Sequence, residues 1–399
     1  MTRAVGVSAA GRAIARPVST AIDQYLSIGI VPDLGLAERT LARLIDGADA
    51  AHDDPANLLA RVVEDALSGR RDVVVPLSGG LDSRGVLGAT LAVLPARAIT
   101  CLTLGQPDAV EWAVASAVCR RNGLRHERID PDRFVWDIDE MVALAKDYGS
   151  RGDGLPAIDT LFMFVQLAKR VAPGTPVLSG HLGGAVSGGY LHGAPRANDP
   201  DGAVRQFLRF NTAAKSSAGV AGVRETLVAF MRQSAHRLES FPGLTRYDLL
   251  DLGFRQGQRV GLDVSGPFTH RILPYEDPRW VRFWLRRSPA DRVGQRLYKA
   301  FLRAAYPTVF TEEDDRLRAD AADRPRMKRP HVRGDLSVNT SMMRTLRLAA
   351  ESFDRRGLAP IRFAPNAERL AASPTIPGYN RARWVLSAEV HLRAGLIEP

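Results

Sequence analysis

The chain has 399 residues, of which 45% are hydrophobic and 25% charged, with a formal net charge of +10 and only two cysteines. These values are ordinary for globular proteins and exclude collagen-like and disordered classes. No run approaches the roughly 20 consecutive apolar residues of a membrane helix, and residues 1–16 lack the apolar core of a secretory signal, so we expect a cytoplasmic protein without membrane contact.

The basic charge and the two cysteines do not point to a specialised function. Lysine and arginine are scattered, without a long basic tail or a zinc-finger spacing, so the pattern does not favour a dedicated nucleic-acid function. A basic surface suits ATP and acidic substrates equally well. Cys101 and Cys119 each lie in an apolar run, which predicts two buried free thiols.

Helix and strand patterns alternate from residue 56 to about residue 200. Short β-branched runs predict strands buried on both faces, and apolar residues at i, i+3 and i+4 predict amphipathic helices between them. The predicted strands are 73–77, 98–104, 125–129 and 176–179, and the predicted helices are 56–69, 83–94, 108–122, 137–147 and 158–171. We interpret Asp108 and Glu111 as the cap of the helix that they open. This order predicts an α/β fold, a parallel sheet with helices on both faces.

Strand signals fade beyond residue 200. Helical periodicity recurs there, so the sheet is predicted to be followed by a mainly helical C-terminal region. The predicted helices are 202–215, 222–240, 245–260, 278–287, 295–304, 338–356 and 380–394. The polar, proline-containing stretch from Thr311 to Ser337 is predicted to be a long loop between them.

The most informative segment is 73–84, where a buried strand runs into Ser-Gly-Gly-Leu-Asp-Ser and a helix follows. The two glycines allow a tight turn and a close approach of the backbone to a ligand, and the helix N-terminus favours a phosphate. The hydroxyls of Ser78 and Ser83 can donate to phosphate oxygens, and Asp82 suits Mg²⁺ held against a pyrophosphate. A plain strand-to-helix turn with a capping Asp is the alternative, and a Walker loop is excluded because its lysine spacing is absent.

This segment resembles the SGGxDS signature of the PP-loop ATP pyrophosphatases, which have an adenine nucleotide alpha hydrolase-like fold and cleave ATP between the α- and β-phosphates. Further matches are similar to the synthetase domain of asparagine synthetase. Gly105 follows the second strand, where that family's loop meets adenine, and residues 24–32 resemble the linker that leaves its glutaminase domain. Residues 179–190 match its second pyrophosphate loop in length, and 273–277 resemble the segment before its last helices.

The resemblance implies a division of the chain and a set of ligands. Residues 1–55 would be a linker-like remnant preceding the synthetase domain, 56–200 the PP-loop nucleotide-binding core, and 201–399 the mainly helical C-terminal part of that domain. The implied ligands are ATP and Mg²⁺, with Asp82 as the magnesium ligand. The implied ATP and pyrophosphate contacts are Leu77, Ser78, Gly79, Gly80, Asp82, Ser83, Gly105, Ser179, Gly180 and Gly183.

The sequence also departs from that family at functional positions. Position 2 is Thr2, where the family's glutaminase domain has its nucleophilic cysteine, so we expect no glutamine hydrolysis. In the second loop, His181 stands at the family's catalytic Glu and Gly184 at its magnesium-binding Asp. Stand-alone relatives often keep a GxxGD version of this loop, which makes Gly184 the one real loss. Asp82 is then the only motif carboxylate for magnesium.

Three residues are candidates for catalysis. The family stabilises developing negative charge with a late lysine, for which Lys328 and Lys299 are the candidates, each with the plainer alternative of a solvated charge. His181 could be a phosphate donor or a proton carrier near neutral pH, or a loop histidine satisfied by the backbone. His126, near a strand start, is interpreted as structural.

The implied reaction is an AMP- and pyrophosphate-forming amide ligation, similar to that of β-lactam synthetase and lasso peptide cyclases. A small-molecule or peptide carboxylate would be adenylated and passed to an amine, and a separate glutaminase or peptide-delivery protein could serve as a partner. The alternatives are a catalytically degenerate nucleotide-binding or scaffold protein, suggested by Gly184, and a tRNA-modifying PP-loop enzyme, suggested by the basic charge.

Overall fold

The computed structural model describes most of the chain up to residue 323 and a short C-terminal stretch. The described residues are 21–47, 54–105, 109–129, 138–150, 166–167, 169–191, 199–211, 217–261, 270–323, 387–388 and 390–397. The predicted helix 338–356, most of 158–171 and 380–394, and the candidate Lys328 lie outside these residues.

A five-stranded parallel sheet organises the described part of the chain. Its strands are β1 (Val73–Pro76), β2 (Ile99–Leu104), β3 (Arg125–Ile129), β4 (Pro176–Leu178) and β5 (His270–Ile272). The order across the sheet is β3-β2-β1-β4-β5, and Val74 of β1 lies between Thr100 on one side and Val177 on the other. The four predicted strands are confirmed. β5 is absent from the sequence prediction because its three residues, His-Arg-Ile, form no apolar run.

Helices surround the sheet and form the C-terminal region. They are α1 (Ala21–Ile28), α2 (Leu34–Ile45), α3 (Pro55–Ala66), α4 (Leu81–Val93), α5 (Val110–Arg121), α6 (Ile138–Ser150), α7 (Gly183–Val186), α8 (Pro200–Asn211), α9 (Ser217–Gln233), α10 (Arg237–Ser240), α11 (Arg246–Leu250), a π-helix (Asp251–Gly261), α12 (Pro278–Leu285), α13 (Pro289–Arg292), α14 (Arg296–Ala305) and α15 (Glu312–Asp323). The α/β architecture with a helical region after it is therefore confirmed. None of the helices in these described ranges has the length and apolar character needed to cross a bilayer.

The core runs from the sheet into the C-terminal helices. Val75 and Cys101 of the central strands are completely buried, and Cys119 of α5 is nearly so. Both cysteines are free thiols, as predicted. The same apolar cluster continues to Trp280 and Trp284 of α12, so the sheet and the helical region share one core.

The segment predicted to be linker-like contributes a helix to that core. Asp33 caps α2 by accepting a hydrogen bond from the Leu36 amide at 2.9 Å, and Leu41 and Leu44 are completely buried. α2 packs against the π-helix and against α12. The boundaries at residues 55 and 200 stay predictions.

One local prediction is wrong. Part of the stretch predicted to be a long loop, Thr311 to Ser337, is the helix α15. Four acidic residues in its first turn favour a helix N-terminus, but its low apolar content hides the helical period. The predicted cap of α5 stays a prediction: the helix begins at Val110 after Ala109, which makes no side-chain cap, and Asp108 lies outside the described residues.

Candidate functional site

The topology places the ends of β1 and β4 side by side. β2 and β3 lie on one side of β1, whereas β4 and β5 lie on the other, so the strand order changes direction between β1 and β4. In open parallel sheets, ligands bind in the crevice at the carboxyl ends of the strands at such a switch point. The two glycine-rich segments predicted to bind phosphate follow these two strands.

The first loop, 77–80, links β1 to α4 and is closed by two hydroxyls. Ser83 Oγ accepts from the Ser78 amide at 3.1 Å and donates to the Ser78 carbonyl oxygen at 2.9 Å. Since the hydrogen of that hydroxyl is used, Ser78 Oγ donates in its 2.9 Å contact with Ser83 Oγ, and it accepts from the Gly80 amide at 3.2 Å. Ser83 therefore closes the loop, whereas the exposed Ser78 can turn toward a ligand.

The second loop, 179–184, lies directly against the first. A Cβ on Gly180 would stand 2.5 Å from the Ser83 nitrogen, and a Cβ on Gly183 would stand 2.9 Å from Asp82 Cγ, so only glycine permits this approach. Between them, Leu182 has a left-handed φ of 74°, which is strained for a branched residue. The surrounding packing therefore holds the loop in one conformation.

Asp82, in the first turn of α4, lies where the two loops meet. Its Oδ2 accepts a hydrogen bond from the Gly184 amide at 2.8 Å, and its Oδ1 is buried without a hydrogen-bond partner among the described residues. Burial raises the pKa of Asp82 from 3.8 to about 6, while the nearby Tyr298 hydroxyl and the Gly184 amide oppose the rise. A buried acceptor without a partner is costly, which points to a ligand for Oδ1.

A divalent cation fits this oxygen. Mg²⁺ is usually held by one or two carboxylates, while phosphate oxygens and waters complete its coordination. The described ranges contain no cluster of three or more His, Cys, Asp or Glu residues suited to a metal, so Asp82 Oδ1 would be the ligand from this part of the chain. A Cβ on Gly184 would lie 2.9 Å from Asp82 Oδ2. The close contact between the Gly184 amide and Asp82 therefore leaves no room for a second carboxylate side chain at position 184.

A comparison with protein families matches residues 55–249 to the model described as asparagine synthase. The match includes both glycine loops, Asp82 and the strands β1 to β4. Residues 55–249 thus match the asparagine synthase family. That family comprises ATP-dependent amidotransferases and ligases. No curated protein matches the chain.

His181 lies in the second loop, within the residues that match the family. Burial, followed by the positive charges of Arg271 and Arg255, lowers its pKa to about 3. The imidazole is therefore neutral at physiological pH, which does not fit a proton carrier near neutrality. Its Nε2 is buried without a hydrogen-bond partner among the described residues, so the backbone does not satisfy that atom. Hydrogen bonding to a phosphate remains a prediction.

Gly105 lies at the carboxyl end of β2, where its amide donates to the Ile129 oxygen at 3.0 Å. Nearby, Thr103 Oγ1 donates to the Leu77 oxygen at 2.7 Å. With that hydrogen used, the 2.8 Å contact between Thr103 Oγ1 and His126 Nε2 requires the imidazole to donate. His126 thus supports the first loop through Thr103, in agreement with its structural interpretation. Contact of Gly105 with adenine stays a prediction.

Lys299 lies in α14, near the second loop, and its side chain is hydrogen-bonded to the main chain. Its Nζ donates to the Gly294 oxygen at 2.9 Å. The next residue, Gln295, donates from Nε2 to Ser187 Oγ at 2.8 Å, and a Cβ on Gly184 would lie 3.8 Å from the same Nε2. Lys299 therefore lies on the element that borders the second loop. The structure does not decide between Lys299 and Lys328, because Lys328 lies outside the described residues.

Three buried side chains support the loops but are absent from the predicted site: Arg292, Tyr275 and Tyr298. Arg292 donates to the Val186 oxygen at 2.9 Å, just after the second loop, and to Asp248 Oδ1 at 2.8 Å. In sequence it is one of many scattered arginines. The two tyrosines fit apolar positions of the pattern, and only the similarity of segment 273–277 to the family gave a signal for Tyr275.

Proposed function

We propose that the chain is an ATP-dependent ligase that adenylates a carboxylate and transfers the acyl group to an amine, forming AMP and pyrophosphate. One observation carries the proposal: Asp82 presents a buried Oδ1, without a hydrogen-bond partner in the described part of the chain, where two glycine loops meet at the carboxyl ends of β1 and β4. The family match supports the use of ATP. The use of a carboxylic acid and an amine as substrates, and the independence from glutamine, are parts of the proposal that go beyond the family match.

The triphosphate is proposed to bind across the two loops. The N-terminus of α4 presents the positive end of a helix to anions, and the glycines allow phosphate oxygens to reach the backbone. Ser78 supplies a hydroxyl donor, Leu77 and Ser179 begin the two loops, and Gly105 borders the adenine. Asp82 Oδ1 would hold Mg²⁺, which when bound neutralises charge on the pyrophosphate.

Two displacement steps follow from this arrangement. A carboxylate oxygen of the acid attacks the α-phosphorus, and the bond to the bridging oxygen breaks so that pyrophosphate leaves with the electron pair. The amine nitrogen then attacks the acyl carbon and loses a proton to solvent, and AMP leaves with the electron pair of the carbon–oxygen bond. The loops would orient the triphosphate, His181 would be a neutral hydrogen-bonding group, and Lys299 or Lys328 would stabilise the developing negative charge.

Gly184 gives a second candidate function. The Gly184 amide, rather than a carboxylate, faces Asp82 Oδ2, so this chain offers one acid where the family has two. A nucleotide-binding scaffold that never splits ATP would need no second acid. One carboxylate nevertheless suffices for Mg²⁺ when the triphosphate and water supply the other oxygens, which favours the ligase.

Formation of AMP separates the two functions. The full chain, given ATP, Mg²⁺, a panel of carboxylic acids and an amine, should release AMP and pyrophosphate in equal amounts with at least one acid. Asp82→Asn should lower the rate by about 100-fold or more, because it removes the charge of the proposed metal ligand. The matched control is Asp315→Asn, at a 52% exposed position on α15, which should leave the rate unchanged. Binding of ATP without AMP formation across the panel would favour the scaffold.

A further inference from the structure

Two completely buried tyrosines stand behind Asp82. Tyr275 lies in the turn after β5, and Tyr298 lies in α14. The Tyr298 hydroxyl donates to the Tyr275 hydroxyl at 3.0 Å, and the Tyr275 hydroxyl donates to the main-chain oxygen of Asp82 at 3.1 Å. A buried hydroxyl without a hydrogen-bond partner is costly, and here both hydroxyls are satisfied. The two hydrogen bonds form a chain that ends at the main-chain oxygen of Asp82.

The carboxylate itself is held by the second loop. Burial is the main influence on the pKa of Asp82 and raises it, whereas the nearby Tyr298 hydroxyl and the Gly184 amide lower it. Tyr275 therefore fixes the main chain of Asp82, Tyr298 orients Tyr275, and the Gly184 amide fixes Oδ2. Within the described residues, Oδ1 is left without a hydrogen bond.

Glycines on both sides make room for Tyr275. A Cβ on Gly85 of α4 would stand 2.3 Å from the Tyr275 hydroxyl, and a Cβ on Gly183 would stand 2.7 Å from its ring. Tyr275 thus packs between the helix that carries Asp82 and the second loop. Its ring lies 5.3 Å from that of Trp280 and 6.3 Å from that of Tyr298, so the aromatic core of the C-terminal region holds it from behind.

We propose that Tyr275 and Tyr298 are positioning residues that fix Asp82 with Oδ1 open to a divalent cation, an inference that rests on the proposed function. A carboxylate held at its main chain and at Oδ2 has little rotamer freedom left to lose when a ligand binds. Preorganisation of this kind increases affinity because the ordering cost is paid on folding. Neither tyrosine contacts the reacting atoms in this arrangement; both act through Asp82.

The test measures the gain in ATP affinity that Mg²⁺ provides, as the ratio of dissociation constants without and with Mg²⁺, by calorimetry on the full chain. Tyr275→Phe and Tyr298→Phe should each reduce this gain about fivefold, the effect of one lost hydrogen bond, and leave the affinity for metal-free ATP within about twofold. The double variant should lose less than the product of the two single effects, because the residues share a hydrogen bond.

Tyr306→Phe is the matched control. Tyr306 is also buried and packs on α4, where a Cβ on Gly88 would stand 2.4 Å from its ring, but its hydroxyl has no hydrogen-bond partner among the described residues. This variant should keep the full gain. If the Tyr275→Phe and Tyr298→Phe proteins melt at a lower temperature but keep the full Mg²⁺-dependent gain in ATP affinity, the inference is overturned and the proposed function is not. A wild-type protein with no Mg²⁺-dependent gain would overturn the proposed function and the inference with it.

Discussion

At the scale of single residues, Asp82 gives the site a pH dependence. Burial raises its pKa to about 6, so the carboxylate is ionised at pH 7 and largely protonated at pH 5. A protonated carboxyl is a poor metal ligand, so at a fixed sub-saturating Mg²⁺ concentration the Mg²⁺-dependent gain in ATP affinity should fall about tenfold between pH 7 and pH 5. Asp82→Asn, titrated over the same range, corrects for the protonation of ATP and should show no such fall. Parallel pH profiles for the two proteins would contradict this.

The raised pKa of Asp82 also makes the stability of the folded protein depend on pH. Between pH 3.8 and about 6 the folded protein holds the Asp82 proton more tightly than the unfolded chain does, so this residue's contribution to stability falls as pH rises through that window. Without Mg²⁺, Asp82→Asn should therefore melt at a higher temperature than wild type at pH 8, and the difference should vanish below pH 4. Thermal denaturation at several pH values measures both limits.

At the scale of elements, one buried carboxylate joins three helices. Asp314 of α15 is completely buried and accepts from Arg84 of α4 at 3.3 Å and from Arg121 of α5 at 2.9 Å. Arg84 is buried as well, and it directly follows the first-loop motif. Removing one partner of a buried ion pair leaves a charge uncompensated, so Asp314→Asn should cost about 3–5 kcal/mol in the free energy of unfolding.

The neighbouring residue supplies the control for that prediction. Asp315 pairs with Arg303 at 2.9 Å, but both side chains are more than half exposed, so Asp315→Asn should cost at most about 1 kcal/mol. Denaturant unfolding of the two variants measures the difference directly. Equal and small losses would show that the α4–α5–α15 ion network contributes nothing to stability.

The elements also show what the sequence could and could not predict. The strands β1 to β4 were predictable because each is a short, bounded run, and the first loop because its glycines and Asp82 follow such a strand. β5 was not predictable from three residues without an apolar run, nor α15 from a polar stretch whose low apolar content hides the helical period. The buried roles of Arg292, Tyr275 and Tyr298 depend on contacts with residues far away in the chain, which no local pattern contains.

At the scale of the whole molecule, strand order creates the site. The sequence predicts two glycine loops more than 90 residues apart, but only the order β3-β2-β1-β4-β5 places them side by side at the switch point. The contact of the Gly184 amide with Asp82 follows from this adjacency and could not be predicted from the absence of an acid at position 184. The family match covers residues 55–249, whereas Tyr275 and Tyr298 lie beyond it, so the surroundings of Asp82 draw on both parts of the chain.

Acid-dependent exchange between ATP and pyrophosphate tests the central claim most directly, because it reports formation of the acyl-adenylate without requiring the correct amine. We predict that labelled pyrophosphate enters ATP only when a suitable carboxylic acid and Mg²⁺ are both present, and that Asp82→Asn abolishes the exchange while Asp315→Asn preserves it. Exchange that continues at full rate in Asp82→Asn, or tight ATP binding with no exchange across a broad panel of small-molecule and peptide acids, would contradict the account.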